Sequence, residues 1–203
     1  MITIINYGLG NLHSVQKAVT FVGGNALVTD DPHEILAADK VILPGVGTFA
    51  DGMAGLESRG LVQVVKEIVV SGKPILGICL GMQLLFEEGR EQGYHSGLGV
   101  LEGSVVPFSG KEIKIPQIGW NQLEICTKSH LLDGIKNGDY FYFNHGYYCV
   151  PDDLNDVLTT TNYGSQFASS VKKGLVFGVQ FHPEKSQKNG LRILKNFVEL
   201  SDG

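Results

Sequence analysis

Residues 73–88 read KPILGICLGMQLLFEE, and the way this stretch turns decides the fold. Pro74 to Ile78 is a short apolar run of the kind that makes a buried strand, whereas Met82 to Glu88 carries strong helix formers. Cys79 therefore falls in the tight turn between them, flanked by Gly77 and Gly81 as G-x-C-x-G. Glycines without Cβ atoms let strand and helix crowd around the cysteine and project its sulfur outward, an arrangement whose serine version is the hydrolase nucleophile elbow. A thiol in the first turn of a helix gains further, because the free N–H groups and the macrodipole favour the thiolate, which is the reacting form. A lone cysteine after an apolar run is also a common small core hydrophobe, so the motif needs support from the rest of the chain.

On the N-terminal side, Ile2 to Ile5 is a β-prone run followed by the turn Asn6-Tyr7-Gly8-Leu9-Gly10-Asn11, with Asn11 as helix starter. Val15, Ala18, Val19 and Val22 then recur at helical spacing. The turn lacks the third glycine of a dinucleotide loop and the Lys-Ser/Thr of a phosphate loop. Ala26 to Thr29 reads as a second strand, Asp30-Asp31-Pro32 as a turn, and His33 to Ala38 as a short helix with His33 solvated. Lys40 to Leu43 is a third strand, broken by Pro44-Gly45-Val46-Gly47, and Leu61, Val64, Val65 and Ile68 lead back into the elbow as a helix. Strands alternating with helices call for a parallel sheet covered on both faces.

Beyond Gly89 the pattern changes to short alternating segments, VLEGSVVPF, KIPQIGWNQLEI, DYFYFNHGYYCV and DVLTTTNY, which suggest added antiparallel strands. Leu175 to Phe181 is again a continuous buried strand, and Leu191, Leu194, Phe197 and Val198 mark a closing amphipathic helix. The expected fold class is α/β, a three-layer arrangement with a mainly parallel central sheet, helices on both faces and additional antiparallel strands. With 203 residues and no linker or repeat, residues 1–203 are read as a single domain.

Composition narrows the function. Hydrophobic content of 43% and charged content of 18% describe a soluble globular chain, with no apolar run near the roughly 18 residues of a membrane span. The start MITIINYG is not a secretory leader, and three cysteines without a C-x-x-C pair suit a reducing cytoplasm. A net charge of −5 with no basic cluster argues against nucleic acid, and six scattered histidines offer no metal-ligand spacing. Neither a metal nor another cofactor is expected.

Two further strand ends complete a chemical set. His182-Pro183-Glu184 follows the strand ending at Phe181, and an imidazole backed by a carboxylate is the base a cysteine nucleophile requires. At the end of the Lys40–Leu43 strand, the glycines of Pro44-Gly45-Val46-Gly47 allow a backbone turn whose N–H groups can face a reacting carbonyl oxygen. Each alone is an ordinary turn.

Together, PGVG at 44–47, GICLGMQ at 77–83 and FHPEKS at 181–186 resemble the signatures of the class I glutamine amidotransferases, in the same order. NYGLGN at 6–11, GMQLLFEE at 81–88, GWN at 119–121 and YFYFNHGYY at 140–148 are similar, more narrowly, to the glutaminase subunits of imidazole glycerol phosphate synthase. The resemblance implies Cys79 as nucleophile, His182 as base and then acid, and Glu184 as its orienter. It implies an oxyanion hole from backbone N–H groups of Val46 or Gly47 and of Leu80, with Val46 at the point where the oxyanion strand flips. Gln83, Gly45, Gly47, His145, Gly146 and Tyr147 would hold the glutamine substrate.

It also implies a partner, since this chain has no second domain to use the ammonia and free ammonia is protonated in neutral water. The partner would be a (β/α)₈-barrel cyclase forming a heterodimer with this chain, docked on the loops at 7–12, 117–121 and 142–147. Two departures from the family pattern stand out. Gln117-Ile118 occupies the place of a usual His-Met, and Gly146 that of a usual Ser or Thr. They leave open a paralogous role feeding ammonia to a sugar amidotransferase. A stand-alone Cys hydrolase would place His directly after the nucleophile, where this chain has Leu80. A non-catalytic binding module would have no use for the three triad residues.

Overall fold

The computed structural model describes residues 1–109 and 113–200. Ile2–Ile5 (β1), three isoleucines and Thr3, is buried throughout, as expected of a central parallel strand. It pairs in parallel with Ala26–Thr29 (β2) and Lys40–Gly45 (β3), and β3 pairs in parallel with Ile75–Cys79 (β4). The strand Val176–Val179 adds to the far side of β4, again in parallel.

Side chains alternate across this block. Ile4, Ile42 and Leu76 pack with Val15 and Val19 of Leu12–Phe21 (α1) and with Ile193, Leu194 and Phe197 of the closing helix. Ile5, Val41, Leu43 and Ile75 face the opposite layer, formed by Pro32–Ala37 (α2), Phe49–Glu57 (α3), Leu61–Val70 (α4) and Leu80–Leu84 (α5). The closing helix, α6, spans Gln187–Glu199. The three-layer α/β architecture matches the expectation.

Antiparallel strands extend the sheet. Ser165–Lys173 pairs beside Val176–Val179, and Tyr147–Pro151 and Leu101–Pro107 follow in order. Gln117–Gln122 and Tyr140–His145 form a separate two-stranded ribbon with Trp120 opposite Tyr142 and Gln117 opposite His145.

Several local expectations need correction. The helix after Cys79 stops at Leu84, and Phe86–Gly89 (β5) is a strand paired with Leu101–Pro107. Phe86 and Gly89 are buried while Glu87 is exposed, and a Cβ on Gly89 would stand 2.5 Å from the Phe49 ring, so sheet burial overrides the helix propensity of Glu87 and Glu88. β3 is not broken at Pro44 but runs on through Gly45, which pairs with Cys79. Pro32 opens α2 rather than closing a turn, with the Asp31 side chain accepting from His33 N. Asn11 stands at the α1 N-cap position without a side-chain cap. α3 is a further helix, burying Phe49, Gly52, Met53 and Leu56 at helical spacing.

Candidate active site

β4 delivers Cys79 at φ 54° and ψ −112°, a strained conformation for a side-chain-bearing residue, and α5 begins at the next position. The flanking glycines are steric requirements. A Cβ on Gly81 would lie 1.7 Å from the Leu43 carbonyl oxygen, and one on Gly77 would lie 2.7 Å from the Gly81 carbonyl oxygen. Sγ is 3.8 Å from the Asn144 carbonyl oxygen, and the Gln180 amide nitrogen lies 3.7 Å from it.

Parallel to β4, Val176–Val179 carries the chain to His182 and the 3-10 turn Pro183–Lys185. His182 Nδ1 lies 2.9 Å from Glu184 Oε1, with the two side chains 3% and 1% exposed. A carboxylate so buried is tolerable only beside a cation or a strong donor. His182 Nε2 is buried with no hydrogen-bond partner of good geometry, and Cys79 is the group that acts on it. The turn is anchored from below. His182 N donates to Tyr142 O at 2.9 Å, Ser186 Oγ donates to His182 O at 2.7 Å, and Tyr142 N donates to Ser186 Oγ at 2.9 Å.

Burial disfavours the His182 imidazolium, but the Cys79 sulfur close to it and the hydrogen-bonded Glu184 carboxylate outweigh it and raise the pKa to about 10. The folded value exceeds the ordinary 6.5, so protonated His182 stabilises the fold. That contribution is complete below about pH 6.5 and is lost as pH rises toward 10. Ring NMR shifts should therefore remain those of an imidazolium at pH 8, and Cys79→Ala should bring the titration down. A ring titrating near 6.5 in the unaltered chain would contradict this charge state.

A cavity of about 380 Å³ opens in front of Cys79. Its walls include Val46, Gly47, Leu80, Gln83, His145, Gly146 and Tyr147, so most of the residues expected from sequence share one chamber. Gly45, His182 and Glu184 are not among its lining residues; Gly45 packs against Tyr7, and His182 interacts with Cys79. Gly47 needs to be glycine for its φ of +108°, having only Leu9 Cδ1 at 4.0 Å from a notional Cβ. Gln83 is fixed by donating Nε2 to Tyr147 O and to Gln180 Oε1, each at 3.0 Å.

Of the two departures, the one at Gln117 has a structural role. Burial, with His182 charge adding to it and the Tyr147 carbonyl opposing, lowers the His145 pKa to about 4. The neutral ring has one N–H, which Nδ1 donates to Tyr147 O at 2.7 Å. Nε2 faces the Gln117 side-chain amide, assigned with Oε1 at 3.1 Å; a neutral ring leaves Nε2 as an acceptor, so the NH₂ end of that amide belongs there. Gln117 thus holds the His145 ring. At Gly146 a Cβ would meet nothing nearer than Ile115 Cγ2 at 3.6 Å, so glycine there omits a hydroxyl without answering a steric demand.

Sequence reasoning missed several site residues, among them Asn144, whose carbonyl faces Sγ, and Ile115 and Pro116 on the cavity wall. Gln180 stands one position before FHPEKS, at the end of a strand whose neighbours were all singled out. Glu91 lines the cavity and accepts from Phe49 N at 2.7 Å, but no local pattern marks it. Among the described residues no group of three or more His, Cys, Asp or Glu could hold a metal ion, and no helix is long and apolar enough to cross a membrane.

Comparison with known proteins agrees with this geometry. The family model described as glutamine amidotransferase class-I matches residues 3–200. The imidazole glycerol phosphate synthase subunit HisH of Moorella thermoacetica is 53% identical over 199 residues, covering 98% of this chain and 94% of that protein. Its namesake from Aquifex aeolicus is 50% identical over 202 residues, covering 98% and 96%. A solved glutamine amidotransferase superposes with a TM-score of 0.76 at 20% identity over 98% of each chain. PurLQS from Thermotoga maritima superposes at 0.74 and 19% identity, over 97% of this chain and 96% of that one, and both likenesses are of fold alone. A match across nearly the whole length, carried by relatives half identical in sequence, means that the chain belongs to the class-I glutamine amidotransferase family, among the HisH subunits of imidazole glycerol phosphate synthase.

Proposed function

We propose that this chain hydrolyses glutamine to glutamate and ammonia through Cys79, His182 and Glu184, and delivers the ammonia to a (β/α)₈-barrel cyclase partner that makes imidazole glycerol phosphate. The observation that carries the reading is Cys79 at φ 54° on the cavity wall, with the buried His182 of the His182–Glu184 pair interacting with it.

Glutamine enters the cavity with its side-chain amide toward Sγ. The Glu91 carboxylate suits its ammonium group, and Gln83 with the backbone from His145 to Tyr147 surrounds the rest. Thiolate attack on the amide carbonyl carbon forms a C–S bond and an oxyanion, which N–H groups of Val46 or Gly47 and of Leu80 stabilise. Leu80 opens α5, so its N–H has no partner within the helix. Protonated His182 gives its proton to the departing nitrogen, releasing ammonia and a glutamyl thioester. The imidazole, now neutral and held in orientation by Glu184, takes a proton from water, whose oxygen attacks the thioester. Glutamate leaves and the thiolate and imidazolium are restored.

The ribbon Gln117–Gln122 with Tyr140–His145 supports a docking role for the partner. Ile118 is 60%, Trp120 45% and Tyr140 52% exposed, a cluster of large apolar side chains that water disfavours. Trp120 meets the Tyr142 ring edge-on at 6.1 Å, and Lys185 lies 5.7 Å over the Tyr142 ring. Since Tyr142 O accepts from His182 N, a partner resting on this ribbon is one residue from the catalytic turn.

Glutamine turnover by the isolated chain should be slow and should rise on the order of 10-fold or more when the cyclase and its nucleotide ligand are added. Steady-state glutamate release checks this. Vigorous turnover without a partner would point instead to an uncoupled amidase, and co-purification should recover a (β/α)₈-barrel chain.

A further inference from the structure

The Tyr7 hydroxyl is a buried polar group that this mechanism leaves unused. Tyr7 follows β1, is 1% exposed, and its Oη has no hydrogen-bond partner among the described residues. Two glycines make room for it. A Cβ on Gly45 would lie 2.2 Å from Oη, and a Cβ on Gly55 would lie 2.6 Å from the Tyr7 carbonyl oxygen and 3.0 Å from its Cδ2. A phenylalanine would fill the same niche and leave nothing unsatisfied, so packing does not explain the hydroxyl.

Its neighbours supply an explanation. Gly45 pairs in register with Cys79, and a Cβ there would also stand 2.9 Å from Leu80 Cβ, so Oη lies beside the residue that joins the oxyanion strand to the elbow. The Gly45–Val46 peptide carries the Gly45 carbonyl and the Val46 N–H, which point in opposite directions across a trans peptide. When Val46 N–H is turned toward Cys79, the Gly45 carbonyl is driven away from the cavity into buried surroundings, where it requires a donor. Burial, reinforced by Cys79, pushes the phenol far above its usual pKa, so Oη keeps its proton and stays a donor at any working pH.

We propose that Tyr7 is a positioning residue for the oxyanion hole, its hydroxyl donating to the Gly45 carbonyl when the Gly45–Val46 peptide turns its N–H toward Cys79. This rests on the glutaminase reading above. The hydroxyl unpaired at rest is the receptor for the turned backbone, and it biases the strand toward the arrangement that stabilises a tetrahedral oxyanion.

The test is Tyr7→Phe in the complex with the cyclase, against the unaltered chain. Glutaminase kcat should fall about 10-fold or more while KM for glutamine holds. Affinity for a glutamyl aldehyde, whose thiohemiacetal oxygen occupies the oxyanion position, should fall by a similar factor. The rate of Cys79 alkylation by iodoacetamide should not change, because that step forms no oxyanion, and the thermal midpoint should hold or rise. An unchanged kcat overturns the proposal while leaving the glutaminase reading intact. So does a fall in kcat matched by slower alkylation and a lower thermal midpoint, the pattern of a merely structural role. An unaltered complex that hydrolyses no glutamine overturns both.

Discussion

Cys79→Ala should lower glutamine hydrolysis by about 10³-fold or more, to assay background, with the fold and partner binding retained. No other thiol can stand in. Cys149 is fully buried and its pKa is pushed well up by burial and by Cys79, which keeps it a thiol, whereas Cys126 is exposed beside Glu124 and Thr160, outside the cavity. Alanine removes one sulfur from a position that is 5% exposed and that makes only long contacts of 3.7 and 3.8 Å, so little packing is lost. It also relieves nothing in the backbone, because alanine at φ 54° is as strained as cysteine. Steady-state glutamate release, with circular dichroism and partner titration as controls, is the measurement. Turnover persisting at the unaltered rate would remove Cys79 from the chemistry, and the proposed function with it.

The second large effect concerns stability. Gly81→Ala should destabilise the chain by about 3–5 kcal/mol, a large part of the roughly 5–15 kcal/mol that holds an ordinary domain folded. The added Cβ would stand 1.7 Å from the Leu43 carbonyl oxygen and 2.7 Å from its carbon, both of them backbone atoms of a central strand. Neither α5 nor β3 can yield without breaking the ladder between β3 and β4 that brings Gly45 opposite Cys79. Gly146→Ala is the matched control. Its Cβ has 3.6 Å of clearance and its backbone is not in the left-handed region, so a change within about 0.5 kcal/mol is expected. Urea midpoints of the two variants decide the matter, and a Gly81→Ala chain as stable as its parent would mean that strand and helix do not approach as closely as described.

Much of this site is legible in one dimension. Apolar runs ending at glycine, cysteine and histidine declare strands that stop at a common edge, because a buried parallel strand has no polar residues until it emerges. That edge is where an open α/β sheet gathers its chemistry. Cys79, His182, Glu184, Val46 and Gly47 are therefore found by reading strand ends, and the family resemblance supplies their proposed roles and adds Leu80 and Gln83. His145, Gly146 and Tyr147 come from resemblance alone, since nothing in their local pattern distinguishes a ribbon end from a surface hairpin.

What escaped the sequence escaped it for definable reasons. Phe86–Gly89 carries the composition of a helix but is a strand because Leu101–Pro107 offers it a ladder and Phe49 covers Gly89. Gln180 and Glu91 carry no motif of their own, and only the convergence of distant segments puts one beside Cys79 and the other on the cavity wall. The sequence by itself determined that the apolar runs near residues 2–5, 26–29, 40–43 and 74–78 become parallel strands and that glycines flank the Cys79 turn, since apolar periodicity and glycine placement are local properties. Tertiary structure alone decided that Tyr7, Gly45 and Cys79 come together, that Gln117 holds His145, and that Trp120 and Ile118 stay in water, because burial and contact depend on segments far apart in the chain.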